Sequence, residues 1–167
     1  MAKRKRRNSP ERGQSLVEVA LLAPLLLALL IGAVEMGRYA YIAILVGNAA
    51  RAGAAYGAQS LIQSSCQPPF PCGIQTAADN DFVNNGQPVA NLTVTSSTSC
   101  GCDNGGTVTS AICDTKINPS AGTCAAGHWV VMVSVTGSGT FSALFSFPGI
   151  PPSIAVSRTA TIRVAQN

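Results

Sequence analysis

The sequence predicts an α+β protein: a long N-terminal transmembrane helix, kinked near Pro24, leads into a small antiparallel β-sheet domain with disulfide-bonded loops. Three observations carry that expectation. The stretch from Val19 to Val34 is sixteen residues without a charge, ten of them Leu, Ile or Val. Three later stretches are rich in β-branched residues or alternate apolar and polar at the two-residue period of a strand. All six cysteines lie beyond the apolar run, in Gly-, Ser-, Asn- and Pro-rich sequence. The expected organisation is a basic cytoplasmic leader (1–13), a membrane-spanning helix (14–59) and an exported, disulfide-bonded β-rich domain (60–167).

The leader comes first because it sets the topology. Lys3, Arg4, Lys5, Arg6, Arg7 and Arg12 stand against Glu11 alone, a net of +5 in thirteen residues, while the remainder of the chain holds five basic and six acidic residues. Positive charge is therefore a property of one segment, not of a surface. A basic tract ahead of a membrane span holds the N-terminus in the cytoplasm and sends the C-terminal portion across. With that account in place, nucleic-acid binding is not expected. The cysteines agree independently, since an even number in a small exported domain reads as disulfides.

The helix is justified next. Ten Leu, Ile and Val residues at roughly −0.3 to −0.6 kcal/mol each favour insertion by about 3–6 kcal/mol. An acid costs about 3 kcal/mol at the centre of a span and less at its edge, so Glu18 and Glu35 sit where they are tolerable. Sixteen helical residues rise about 24 Å against a hydrocarbon core of ~30 Å. Leu16 and Val17 extend the run at one end, and Met36, Tyr39, Tyr41 and Ile42 at the other. Arg38 stands three residues after Glu35, within reach of an ion pair on the same helix face. A cleaved secretory signal is disfavoured, because Gly32-Ala-Val-Glu35 lacks the small-x-small site and helix-like sequence continues well beyond it. Pro24 offers no N–H and predicts the kink.

From Asn48 to Ala58 alanine and glycine dominate. Gly53 and Gly57, like Ala50 and Ala54, stand four apart on the small-xxx-small spacing that lets backbones approach closely. This predicts a smooth helix surface against which neighbours lie.

Residues 12–58 resemble the TadE-like family of tight-adherence (Tad) pilus systems, which is related to type IV pilins. The resemblance rests on Arg12-Gly-Gln-Ser-Leu-Val-Glu18, Ala20-Leu21 and Pro24 in the leucine run. It continues in Val34-Glu-Met-Gly-Arg38 and in Asn48-Ala-Ala-Arg-Ala-Gly-Ala54. It implies a minor pilin or pseudopilin in the bacterial inner membrane, processed by a prepilin peptidase that cuts after Gly13. Gln14 would then be first and Glu18 fifth in the mature chain. Val19 stands where that group often has an aromatic residue. The implied partners are the membrane, other pilin or pseudopilin subunits, the assembly machinery and the peptidase. A charge at the head of a membrane helix needs a partner, and the freed Gln14 amine of a neighbouring subunit supplies one for Glu18. Glu18, Pro24, Glu35, Arg38, Gly53 and Gly57 are the expected packing and assembly positions; for Glu35, pairing with its own Arg38 and contact with a neighbour both stay open.

In the exported part, strands are expected over 91–97, 129–136 and 155–164, with a loop at 149–152, forming a sheet against the C-terminal half of the helix. Cys66, Cys72, Cys100, Cys102, Cys113 and Cys124 permit fifteen pairings. Cys66 with Cys72 is the least risky pairing, because the loop between them is short and isolated. C-x-C lacks zinc-ligand spacing and His128 is the single histidine, so no metal or other cofactor is expected. No nucleophile motif accompanies His128, and the chain is not expected to be an enzyme. Asp79, Asp81, Asp103 and Asp114 fall in polar, loop-like sequence, and Asp79-Asn-Asp81 lacks the glycine of a calcium loop. The expected function is a structural pilus subunit that aids assembly, secretion or surface adhesion. The rival is a membrane-tethered, adhesin-like binding module whose helix serves only as an anchor.

Overall fold

One α-helix, α1, runs from Glu11 to Gly57 in a computed structural model that describes residues 11–60, 73–113, 124–145 and 151–164. Pro24 lies inside it, and helix continues on both sides. After it come a shorter helix, α2 (Gly73–Asn84), a 3-10 turn (Val89–Asn91) and four strands: β1 (Leu92–Asp103), β2 (Val108–Ala111), β3 (His128–Ser142) and β4 (Ser153–Arg163). The chain forms two compact units, Met1–Arg38 and Tyr39–Asn167.

In the second unit the strands form one antiparallel sheet in the order β2-β1-β3-β4. β3 is its spine, and alternation decides its two faces. Val131, Val133, Val135, Gly137, Gly139 and Phe141 are buried, while Ser134, Thr136 and Ser138 point the other way. On that outer face hydroxyls pair across β3 and β4: Ser134 with Thr161 at 2.8 Å, Thr136 with Thr159 at 2.8 Å and Ser138 with Ser157 at 3.2 Å. Apolar side chains are absent from those six positions, so this face is built for a polar environment.

The inner face carries the core. The part of α1 from Tyr39 onward lies on β3, flanked by α2 on the β1 side. Leu45, Val46 and Ala49 of α1 meet Ala78 and Phe82 of α2 and Leu92 of β1. Toward β4, Ala43 packs with Phe141 and Val156, and the Tyr39 ring meets Phe141 edge-on at 5.7 Å. Ala54 joins Ile74, Cys100, Val131, Val133, Val135 and Val164. The approach is close because glycines face the helix. A Cβ at Gly139 would lie 2.8 Å from a Val46 methyl, and one at Gly137 would lie 3.1 Å from the Val46 carbonyl. Those glycines cost β3 intrinsic strand preference, but they admit the helix backbone.

The three expected strands are present, and all are longer or shifted by a residue or two. Three elements were not anticipated: α2, the 3-10 turn and β2. The segment around Asp79 and Asp81 is helix, not loop, because Ile74, Ala78 and Phe82 at i, i+4 and i+8 give α2 a buried stripe. The expected loop location of Cys100 and Cys102 is likewise corrected: β1 continues through both to Asp103. It does so because β2 pairs with this end, Cys100 opposite Ala111 and Asp103 opposite Val108. The connecting turn is held by side chains: the Gly105 N–H donates to Asp103 Oδ1 (2.9 Å) and the Thr107 N–H to Asn104 Oδ1 (3.2 Å).

Candidate functional site

Among the described residues, exposed large apolar side chains are concentrated in the first unit. Leu16, Val17, Val19, Leu21, Leu22, Leu25–Leu27, Leu29 and Leu30 are all exposed, Leu21 to 73 %. The helix is long and apolar enough to cross a bilayer. In water such a surface would forfeit about 25 cal/mol for every Å² left uncovered, so lipid or other apolar helices are its natural surroundings. Gly13, Gln14 and Glu18 are exposed at its head. At its far end Arg38 donates to Glu35 Oε2 at 3.0 Å, with the Glu35 side chain largely covered and Arg38 more open. The intrahelical pair expected from the i, i+3 spacing is therefore formed.

Gly53 and Gly57 are buried, and their neighbours belong to the same chain. A Cβ at Gly53 would lie 3.0 Å from the Ile74 carbonyl and 3.3 Å from Val135; at Gly57 it would meet Ile74 at 2.8 Å and Val133 at 3.2 Å. The smooth surface expected from the small-xxx-small spacing exists, and α2 and β3 occupy it.

Among the described residues, four cysteines form two disulfides. Cys100–Cys113 ties β1 to the residues just after β2, and Cys102–Cys124 ties β1 to the approach to β3, with Cα separations of 5.2 and 5.7 Å. Their sulfurs are thereby withdrawn from metal ligation. Cys66 and Cys72, and the pairing suggested for them, lie outside the described residues, as does Asp114. Beside the second disulfide, Asp103 Oδ2 accepts from Arg163 of β4 at 3.1 Å and lies 3.6 Å from His128 Nε2. His128 is thus placed in a cross-strand polar cluster, directly opposite Asp103 in register. Asp103 and Arg163 as partners could not be read from sequence, since sixty residues separate them. The α2 stripe could have been, from the four-residue spacing of Ile74, Ala78 and Phe82.

These features define a membrane-associated α+β protein, with an exposed apolar helix and a disulfide-bonded sheet domain. Residues 13–55 match the family model described as TadE-like protein, which bears out the resemblance over that segment. No curated protein and no solved structure matches the chain.

Proposed function

We propose that this chain is a minor pilin or pseudopilin of a Tad-type pilus, a structural subunit that assists fibre assembly or secretion and surface adhesion. The N-terminus is cytoplasmic, the helix crosses the inner membrane, and the disulfide-bonded domain lies on the far side. What carries this reading is the coincidence of the TadE-like match over 13–55 with a helix whose leucines are exposed and whose head bears Glu18. The basic leader supplies the orientation, and disulfides at Cys100–Cys113 and Cys102–Cys124 fit an oxidising compartment.

In this account a prepilin peptidase removes residues 1–13. The new Gln14 amine of one subunit pairs with Glu18 of its neighbour, and this fixes the axial register of packed helices. The pair forms in a low-dielectric setting, where an unpartnered carboxylate is costly. Pro24 loosens the helix so that neighbouring helices can lie along it. The Glu35–Arg38 pair closes the apolar run at its other end. Gly53 and Gly57 are already engaged within the domain, so contact between helices falls on the leucine-rich half.

The test is the N-terminal mass of the protein recovered from membranes, with and without Gly13→Ala. A chain that starts at Gln14, and keeps its leader in the variant, supports processing. An intact leader in both leaves only the anchor.

A further inference from the structure

Within the second unit α1 and β3 run antiparallel, and their packing fixes which end of the sheet lies beside Tyr39. Gly57 faces Val133 and Gly53 faces Val135, while Val46 meets Gly137 and Gly139. Tyr39 and Ala43 then meet Phe141. Tyr39 is the first residue of this unit, and Arg38, one peptide bond before it, is the last of the leucine-rich unit. Covalent continuity therefore keeps the β3–β4 end of the sheet next to the point where the chain leaves the span.

That end is apolar and exposed. Just past Ser142, Leu144 is 63 % exposed and Phe145 49 %. Ile154, opposite Phe141 in register, is exposed on the returning strand, and so is Tyr41 on α1. The two strands are still joined there, since the Ala143 N–H donates to the Pro152 carbonyl at 3.0 Å. From Trp129 to Ser157 the sequence holds no Asp, Glu, Lys or Arg. The next charge along β4 is Arg158, four residues from Ile154, or about 13 Å of strand. Charge gathers at the opposite end of β3, where Asp103 lies between His128 and Arg163. Other exposed apolar residues lack this setting: Val83 of α2 stands two residues from Asp81, and Val108 and Ile112 belong to the β2 side.

We infer that the β3–β4 end of the domain enters the interface of the bilayer that α1 crosses, with Leu144, Phe145 and Ile154 against lipid. The patch continues the apolar surface of the span through Tyr39 and Tyr41, and tyrosines favour the headgroup level. Leucine and phenylalanine are side chains that interfacial elements bury, to a depth of roughly 5–10 Å. The uncharged stretch of β4 exceeds that depth, so entry desolvates no charge. The domain thereby gains a second attachment to the membrane, one that salt does not screen. The contact rests on α1 crossing the bilayer and not on the pilin assignment.

The experiment uses the full chain in phosphatidylcholine vesicles whose acyl chains are brominated, because bromine quenches a tryptophan that touches it. Trp129, the single native tryptophan, lies at the charged end of β3 and is the reference. Leu144→Trp and Phe145→Trp, at exposed positions, each add a reporter at the hairpin, and Leu26→Trp adds one in the span; the Trp129 signal is subtracted with the parent chain. The expected result is loss of emission at 144, 145 and 26, none at Trp129, and no change in high salt. Quenching at 26 with none at 144 or 145 overturns the interfacial contact and leaves the span standing. No quenching at any of the three overturns both. A blue shift at 144 or 145 that grows with protein density, without bromine quenching, overturns lipid as the partner and points to a neighbouring copy. Quenching at the hairpin that high salt abolishes overturns the apolar basis of the contact.

Discussion

The two halves of α1 invert the usual rule for burial. Between Gly13 and Arg38 the helix is rich in leucine, and its leucines are exposed; between Tyr39 and Gly57 it is rich in alanine and glycine, and most of these are buried. In a water-soluble helix the large apolar residues would be the covered ones. The difference shows that side-chain size here follows the kind of neighbour, not the degree of hydrophobicity. Lipid is fluid and rewards large apolar surface. A sheet carrying valines presents a fixed surface, and the helix approaches it only where small residues leave room.

Phe82→Ala gives the largest expected effect on the buried side of this comparison. The ring is 1 % exposed and joins α2 to α1 and β1, so its loss should cost about 3–5 kcal/mol of domain stability. Denaturant unfolding in detergent, followed by disulfide-intact tryptophan fluorescence, measures it, and membrane insertion should not change. Next comes Leu26→Arg on the exposed side, about 3 kcal/mol against insertion. It should shift protein from the membrane pellet to the soluble fraction, whereas Ala55→Arg, at an exposed position of the second half, should not.

A matched pair then tests the size argument itself. Ala50→Leu places bulk where the methyl is 1 % exposed and faces Gly137, and overpacking should cost about 1–3 kcal/mol. Ala28→Leu adds the same atoms to the exposed half and should leave domain unfolding unchanged. Equal effects from the two would erase the distinction between the halves. The smallest effect belongs to Thr136→Val with Thr159→Val on the outer sheet face, within about 1 kcal/mol in the same unfolding assay.

Both halves of α1 were legible because their patterns are long. The leucine run and the small-residue spacing each extend over several turns, and the strands near 94, 132 and 160 repeat with period two. The elements that escaped prediction are short or depend on remote partners. β2 is four residues, Val108–Ala111, and exists because the end of β1 offers an edge. α2 has only three buried side chains to announce it. The β3 strand runs past Thr136 through Gly137, Ser138 and Gly139, where glycine ordinarily signals a turn; here the reason for glycine is Val46, far earlier in the chain. The head of the candidate site, Gly13, Gln14 and Glu18, is legible from motif and leader charge. The internal occupants of the Gly53 and Gly57 surface are not, because small-xxx-small spacing specifies close approach without specifying to what.

Labelling from within the bilayer reports whether the two halves of one continuous helix meet different surroundings. Membranes containing the full chain are photolysed with a lipid whose acyl chain bears a diazirine, and labelled peptides are located by mass. Label concentrated over residues 16–34 and absent from 43–57 and from β3 is the predicted result; label spread evenly along the helix, or none on the leucine run, would contradict it.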